Sequence, residues 1–209
     1  MALTKVLTGG IALDAVDNTI LKLDDNYALT GTVTGVGTHQ LLSSQTASNS
    51  TGVIFNSSLI TNAYDNYLLM GSRISAATDT AHPLLFYSID NGTSFDLDTS
   101  SARFYLRLQG AASGHEQENL DTSIQRIGSS SSNVDVETGQ FFIYLQGFRS
   151  STQKTTHGTY TGTHSGGASD GYSWRVGARI VTTSPINYVK FDFSAGNFDG
   201  NFSLYGITS

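Results

Sequence analysis

Apolar residues at every second position are the feature of this sequence that most restricts its fold. Near the C-terminus, Val189, Phe191 and Phe193 alternate with polar residues. Successive side chains of a β-strand point to opposite faces, so this spacing predicts a strand with one apolar face. The same alternation occurs in residues 103–108 and 202–205, whereas no segment carries a convincing helical repeat.

Clusters of Gly, Ser, Asn and Asp separate the apolar runs at short intervals, at residues 90–92, 128–133, 165–167 and 194–201. Many short strands with regularly spaced turn signals predict a β-sandwich or a barrel. The tripeptide Asp90-Asn91-Gly92 predicts a tight turn between the runs Leu84–Ile89 and Ser94–Leu97.

Three apolar runs define the predicted core. Residues 141–148 are almost continuously apolar, which is typical of a strand covered on both faces. The last two apolar runs, which flank residues 194–201, predict a final hairpin in the inner part of the sandwich. The core is predicted to contain Phe141, Ile143, Val189, Phe191, Phe193, Phe202 and Leu204.

The N-terminal residues differ in composition from the rest of the chain. They are rich in small residues and contain too few apolar ones to close a core of their own. We therefore predict an extended arm over residues 1–40, for docking or oligomerisation, followed by a β-sandwich over residues 41–209. The arm is expected to bury Ile20, Leu21 and Leu23 against another subunit.

Charge and hydropathy exclude several classes of partner. The net charge is −6, and the few Lys and Arg residues are scattered singly, whereas nucleic-acid binding needs clustered positive charge. The longest apolar runs fall far short of the ~20 residues of a membrane helix, and the N-terminal sequence MALTKVLTGG does not resemble a secretory signal. We expect a protein made in the cytoplasm without membrane insertion.

Three stretches resemble a family of β-rich virion proteins of tailed bacteriophages, particularly marine ones. The first is LKLDDNYALTGTVTG at residues 21–35. The second combines AYDNYLL at 63–69 with LLFYSIDNGTSF at 84–95. The third is FDGNFSLYGI at 198–207, which is similar to the family's terminal strand.

This resemblance implies an all-β chain with an antiparallel jelly-roll-like sandwich, in a phage particle and often in homotrimers. It implies a non-enzymatic structural protein of the virion with other virion proteins as partners, and it supplies no catalytic residues or cofactor. We expect a tail-fibre-like adhesin for host attachment. The alternatives are a capsid decoration or head-fibre protein and, third, a stand-alone carbohydrate-binding module.

The candidate ligand site lies in residues 155–179, where aromatic residues stand among Thr, Ser, Gly and His. Aromatic rings with neighbouring hydroxyl groups can bind a host surface glycan by stacking on a sugar. Trp174 alternates with Val176 and Ala178, so its ring is expected in the core. The predicted surface contacts for the glycan are Tyr160, Tyr172, His157 and His164.

Acidic turns are weak candidates for calcium, which prefers oxygen ligands from alternating Asp and Asn residues. No turn completes an EF-hand loop, and Asx residues also cap turns through their own backbone. The candidate ligands are Asp90, Asp96, Asp98 and Asp199.

An enzyme is not expected. Glu116, Glu118 and Asp121 could supply the paired carboxylates of a glycosidase, but carboxylates so close in sequence among polar residues are typical of a solvated loop. The chain also lacks cysteine, which excludes a cysteine nucleophile.

Overall fold

The fold is seen in a computed structural model that describes residues 38–107, 113–128, 133, 138–163 and 171–208. Every regular element in these residues is a β-strand. None of the described residues forms a helix that could cross a membrane. The strands are β1 His39–Ser50, β2 Val53–Phe55, β3 Asn66–Ala76, β4 Pro83–Ser88, β5 Thr99–Arg107, β6 Ser113–Thr122, β7 Ile124–Arg126, β8 Gly139–Gln146, β9 Lys154–Thr163, β10 Gly171–Ile180, β11 Tyr188–Phe193 and β12 Phe198–Ile207.

The strands form two antiparallel sheets packed as a sandwich, which confirms the predicted fold class. The larger sheet has eight strands in the order β1-β12-β3-β8-β9-β10-β5-β6, and the smaller has four in the order β2-β11-β4-β7. Residues 1–37, with the predicted docking residues Ile20, Leu21 and Leu23, lie outside the described residues. The arm therefore stays a prediction.

The strand order is that of a jelly roll with four additional strands. From β1 to β4 the chain alternates between the two sheets. The strands β1-β12-β3-β8 of the larger sheet pack face to face on the strands β2-β11-β4-β7 of the smaller sheet. These eight strands are the two Greek keys of a jelly roll. The pairs β5-β6 and β9-β10 are insertions that extend the larger sheet beyond β8.

Aromatic rings fill the space between the sheets. The Phe191 ring, from the smaller sheet, lies 4.8 Å from the Phe202 ring and 5.4 Å from the Phe141 ring, between centroids. Phe193 and Phe198 complete the cluster at 5.6 and 5.2 Å from Phe191. All seven residues predicted for the core are buried: Phe141, Ile143, Val189, Phe191, Phe193, Phe202 and Leu204.

The last two strands occupy inner positions, as predicted, but the predicted final hairpin is wrong. Strand β11 lies between β2 and β4 in the smaller sheet, whereas β12 lies between β1 and β3 in the larger one. Each strand has one apolar face, and both faces become buried when the strands oppose each other across the core. The chain crosses between the sheets through a turn in which Gly196 has a φ of +72°.

Strand β5 has the predicted alternation, but polar Arg103 faces the interior. Arg103 is buried, donates a hydrogen bond of 2.8 Å to the Gly128 carbonyl, and lies 5.4 Å from the centroid of the Trp174 ring. Trp174 is in the core, as predicted. Phe104 and Leu106 point outwards instead and are 61% and 54% exposed.

A second buried polar group lies between the sheets beneath β9. The Gln125 side-chain carbonyl accepts hydrogen bonds from the Tyr87 and Thr156 hydroxyls, the latter at 2.8 Å. Burial of the Tyr87 phenol raises its pKa. Lys154 is also buried, and its Nζ donates to the Ser150 and Thr152 carbonyls. The inserted strands therefore cover a more polar interior than the jelly-roll strands do.

Strand β8 departs from prediction on one face. Phe141, Ile143 and Leu145 are buried, but Phe142 on the opposite face is 44% exposed and Tyr144 is half-buried. The prediction of a strand covered on both faces is therefore wrong for the described part of a single chain. The uncovered face carries large apolar side chains.

The turn at residues 90–92 is confirmed. Asn91 and Gly92 have φ values of +60° and +85°, which tight turns of this sequence type require. The following run, Ser94–Leu97, is not a strand, and the chain next enters the other sheet at β5.

Replacing Phe191 with Ala should lower the free energy of unfolding by about 3–5 kcal/mol, because it leaves a cavity between the sheets. Phe191→Leu keeps an apolar group in place and should lose clearly less. Urea unfolding followed by tryptophan fluorescence measures both. Equal stability of Phe191→Ala and the wild type would contradict the central place of this ring.

Candidate functional site: the outer face of the larger sheet

The outer face of the larger sheet carries two adjacent rows of apolar side chains. One row pairs Met70 on β3 with Phe142 on β8. The other runs across four neighbouring strands, through β1, β12, β3 and β8. We call the two rows the apolar stripe, which consists of Leu41, Tyr205, Leu68, Tyr144, Met70 and Phe142.

The stripe is open to solvent in the described part of the chain. Leu41, Phe142 and Met70 are 53%, 44% and 40% exposed, and the other three residues are half-buried. Single exposed apolar residues are common on protein surfaces, but a contiguous group marks an interaction surface.

His157 extends the stripe onto β9. Its ring stacks on the Tyr144 ring, with 5.1 Å between centroids and 15° between planes. The His39 ring approaches the same tyrosine edge-on at 6.5 Å. Tyr144 therefore holds two imidazoles against an otherwise apolar surface.

Two arginines flank the stripe on β10. Arg175 lies opposite Thr159 in the row that contains Phe142, and Arg179 lies opposite Thr155. Both are exposed, and within the described residues neither guanidinium has a hydrogen bond or an ion pair. The face thus offers apolar area beside positive charge that has no described partner.

A cleft of about 380 Å³ opens where β3, β8 and β9 reach one end of the sheet. We call it the polar cleft after the residue types around it, although carbon atoms form the larger part of its wall. Most of its lining consists of hydroxyl, amide and glycine residues. Polar side chains come from Ser72, Arg73, Thr138, Gln140, Thr161 and Thr163.

A β-bulge places Arg73 at this cleft. Between Gly71 and Ile74 the register of β3 shifts against β8, so that two residues of β3 stand opposite one of β8. Arg73 has a φ of +53°, a region that residues other than Gly, Asn and Asp rarely adopt. Bulges often re-aim a side chain next to a functional site.

The structure does not bring the predicted glycan-binding residues together. Tyr160 is only 3% exposed and belongs to the core, so its prediction as a surface contact is wrong. Tyr172 packs on Trp174, with 6.0 Å between ring centroids, and is half-buried. His157 points to the opposite face because it is an odd number of residues from Tyr160. His164 lies outside the described residues.

Three of the four candidate calcium ligands are held by side-chain hydrogen bonds, whereas Asp98 accepts the Val181 N–H through its backbone carbonyl. The Asp90 carboxylate accepts bonds from the Ser88 and Ser94 hydroxyls and from the N–H groups of Thr93 and Ser94. Asp96 shares the Ser94 hydroxyl, and Asp199 accepts the Asn49 N–H at 2.7 Å. Among the described residues, no three His, Asp or Glu side chains form a group that could hold a metal ion.

The acidic segment considered for glycoside hydrolysis was predicted to be a loop. In the structure it forms strand β6. Glu116 lies opposite Arg103 and Glu118 opposite Ser101 in the β5–β6 register. Asp121 belongs to the same strand. Alternating polar residues at a sheet edge resemble a loop in sequence, because neither face shows an apolar pattern.

Sequence patterns indicated part of this face and missed the rest. The continuous apolar run in β8 was the visible signal for the stripe, because its second apolar face needs a covering layer. The cleft had no such signal, since a bulge within β3 cannot be recognised from alternation. No family model and no curated protein matches this sequence.

The Asp90 bonds generate a prediction about pH. They favour the charged carboxylate, led by the Ser88 hydroxyl bond, and lower the Asp90 pKa from 3.8 to about 2. These bonds therefore stabilise the folded protein fully above the ordinary pKa of an Asp carboxyl, and this stabilisation is lost as the pH falls towards 2 and Asp90 is protonated. In Ser88→Ala, the Asp90 pKa should rise, as measured by NMR titration of the carboxyl carbon.

The exposed Ser184 provides the control, because Ser184→Ala should leave the Asp90 pKa unchanged. The difference in stability between Ser88→Ala and the wild type should be smaller at pH 2 than at pH 6. An unchanged pKa in Ser88→Ala would show that this hydroxyl does not stabilise the carboxylate.

Proposed function

We propose that this protein is a non-enzymatic structural subunit of a bacteriophage virion that assembles through the outer face of its larger sheet. The apolar stripe is the observation that carries this proposal. The described residues contain no cluster of metal ligands, and the polar groups that are buried there pair mainly with their own chain.

The composition of β8 supports a covering layer of protein. A strand with one solvent-exposed face normally alternates apolar and polar residues, whereas a strand with two apolar faces is typical of a sheet that is buried on both faces. Here Phe142 and Tyr144 are apolar but lie outside the core. Burial of such side chains contributes about 25 cal/mol per Å² of apolar area, so assembly would stabilise the particle.

We propose that the covering layer is a second copy of this chain, through its N-terminal segment. Residues 20–25 combine Ile20, Leu21 and Leu23 with Asp24 and Asp25. This composition complements a face with an apolar stripe beside two arginines without described partners. A copy bound in this way leads to a closed oligomer, and a homotrimer is the form we propose.

The resemblance to phage virion proteins supports the setting in the virion. Its terminal stretch, residues 198–207, coincides with the bounds of β12, and residues 84–95 contain most of β4 and the turn that follows. A jelly roll alone does not define a function, because unrelated proteins share it. We propose a tail-fibre-like adhesin that contacts other virion proteins through the arm, with capsid decoration or a head fibre as the alternative. Immunogold labelling of particles distinguishes tail from head.

Introducing a charge into the stripe should separate the copies. Phe142→Asp should convert the oligomer to a monomer without unfolding it, because the residue lies outside the core. Size-exclusion chromatography with light scattering measures the mass, and circular dichroism checks the fold. Ile54→Asp is the matched control, since Ile54 is 41% exposed but lies on the smaller sheet. An oligomer that survives Phe142→Asp would refute assembly through this face.

Removal of residues 1–37 should leave the β-sandwich folded, because strand β1 begins at His39. The truncated protein should lose oligomerisation and its place on the particle, since the docking segment is absent. Thermal unfolding and co-sedimentation with purified particles give the two measurements. Continued binding of the truncated protein to particles would contradict docking through the arm.

A further inference from the structure

We propose that the polar cleft at Arg73 binds a saccharide that carries a carboxylate. The proposal concerns the single chain and rests on the cleft, so it does not depend on assembly through the apolar stripe. It replaces the predicted site at Tyr160, whose ring is buried in the core.

The backbone at Arg73 indicates a functional position. Its φ of +53° is in the left-handed region, which costs about 1–3 kcal/mol for a residue other than Gly. Gly or Asn would adopt this conformation at less cost. An arginine in this conformation lowers the stability of the fold, and no described contact of its side chain offsets that cost. Residues with a strained backbone of this kind cluster at ligand sites.

The Arg73 guanidinium has no described partner. It is exposed, and within the described residues no carboxylate or carbonyl accepts a hydrogen bond from it. A guanidinium presents a planar fork of N–H donors that matches a carboxylate in two parallel bonds. The cleft therefore holds one cationic donor that is available to a ligand.

The remaining lining identifies the rest of the ligand. Hydroxyl groups of Ser72, Thr161 and Thr163 and the Gln140 amide surround the cleft, and each can both donate and accept hydrogen bonds. A polyol has the same dual capacity at every hydroxyl. A single cation among neutral groups suits a monoanionic carboxylate better than a phosphate, which carries up to two charges at neutral pH.

The size of the cleft agrees with this ligand. Its volume of about 380 Å³ lies near the lower end of the ~300–1,000 Å³ range of ligand sites. One acidic sugar, or a short oligosaccharide that ends in one, fits this range. Because the cleft is open on one side, a longer glycan chain can leave it towards solvent.

Full-length protein can be tested on an array of oligosaccharides that end in a uronic or sialic acid, together with the same glycans after reduction of the carboxyl group to an alcohol. The wild type should bind the acidic forms and lose roughly tenfold or more in affinity for the reduced ones. Binding should weaken as the salt concentration rises.

Two variants test the assignment to Arg73. Arg73→Asn removes the guanidinium and keeps a residue that tolerates a positive φ, so it should abolish binding to the acidic glycans without lowering the melting temperature. Arg149→Asn is the control, because it removes an arginine from the connection between β8 and β9 at the other end of the sheet, outside both the cleft and the apolar stripe, and it should bind like the wild type. An unchanged oligomeric mass of Arg73→Asn separates this outcome from a failure of assembly.

Three results would overturn the proposal. The first is equal binding of acidic and reduced glycans, and the second is full binding by Arg73→Asn. The third is displacement of bound acidic glycan by inorganic phosphate at the same concentration at which free glucuronate displaces it. This result would identify a simple anion site without sugar recognition.

Discussion

The stacking of Phe191 between the sheets is the contact on which the other features of this fold depend. Its ring joins β11, at the centre of the smaller sheet, to Phe141 on β8 and to Phe202 on β12. Strands β11 and β12 are inner strands of the jelly roll, and β8 lies in the middle of the extended larger sheet, so the aromatic cluster fixes how the two sheets face each other. Once it is formed, every strand that pairs with a central one has a defined inner and outer face. The apolar stripe is the outer face of the same strands, and its position follows from the packing of the core.

Alternation in the sequence predicted this core correctly, because period two determines which residues share a face. It did not determine which strands pair or which face meets the core. The final runs were predicted to form a hairpin, yet β11 and β12 oppose each other across the core and pair with strands far away in sequence. Tyr160 lies in a polar segment, but its parity with Trp174 across β9 and β10 places both rings inside. Such pairings depend on contacts between distant residues, which local patterns do not contain.

The inserted strands follow a different rule from the jelly-roll strands. Beneath them, the Gln125 side-chain carbonyl accepts hydrogen bonds from the Tyr87 and Thr156 hydroxyls, and the Arg103 guanidinium lies over the Trp174 ring. Most of these buried polar groups form hydrogen bonds within the chain, such as the bond from Arg103 to the Gly128 carbonyl, whereas the Gln125 Nε2 has no partner among the described residues. With polar residues inside, the apolar residues of β5 occupy the other face, which leaves Phe104 exposed. The inverted alternation of β5 is thus a consequence of a polar interior, and it adds apolar area to the outer surface of the larger sheet.

A single strand divides that outer surface into two kinds of site. Strand β3 contributes Leu68 and Met70 to the apolar stripe. A few residues later along the same strand, the bulge places Arg73 at the polar cleft. The extra residue of β3 is accommodated against both neighbours, because the registers with β8 and with β12 shift in the same region. The local distortion therefore does not disturb the rows on either side. If a second copy covers the stripe, the cleft lies at the rim of that contact and stays open, so each copy in an oligomer presents its own cleft. Weak binding of one acidic sugar by a single cleft would then be raised by effective concentration when several copies engage one glycan-covered surface.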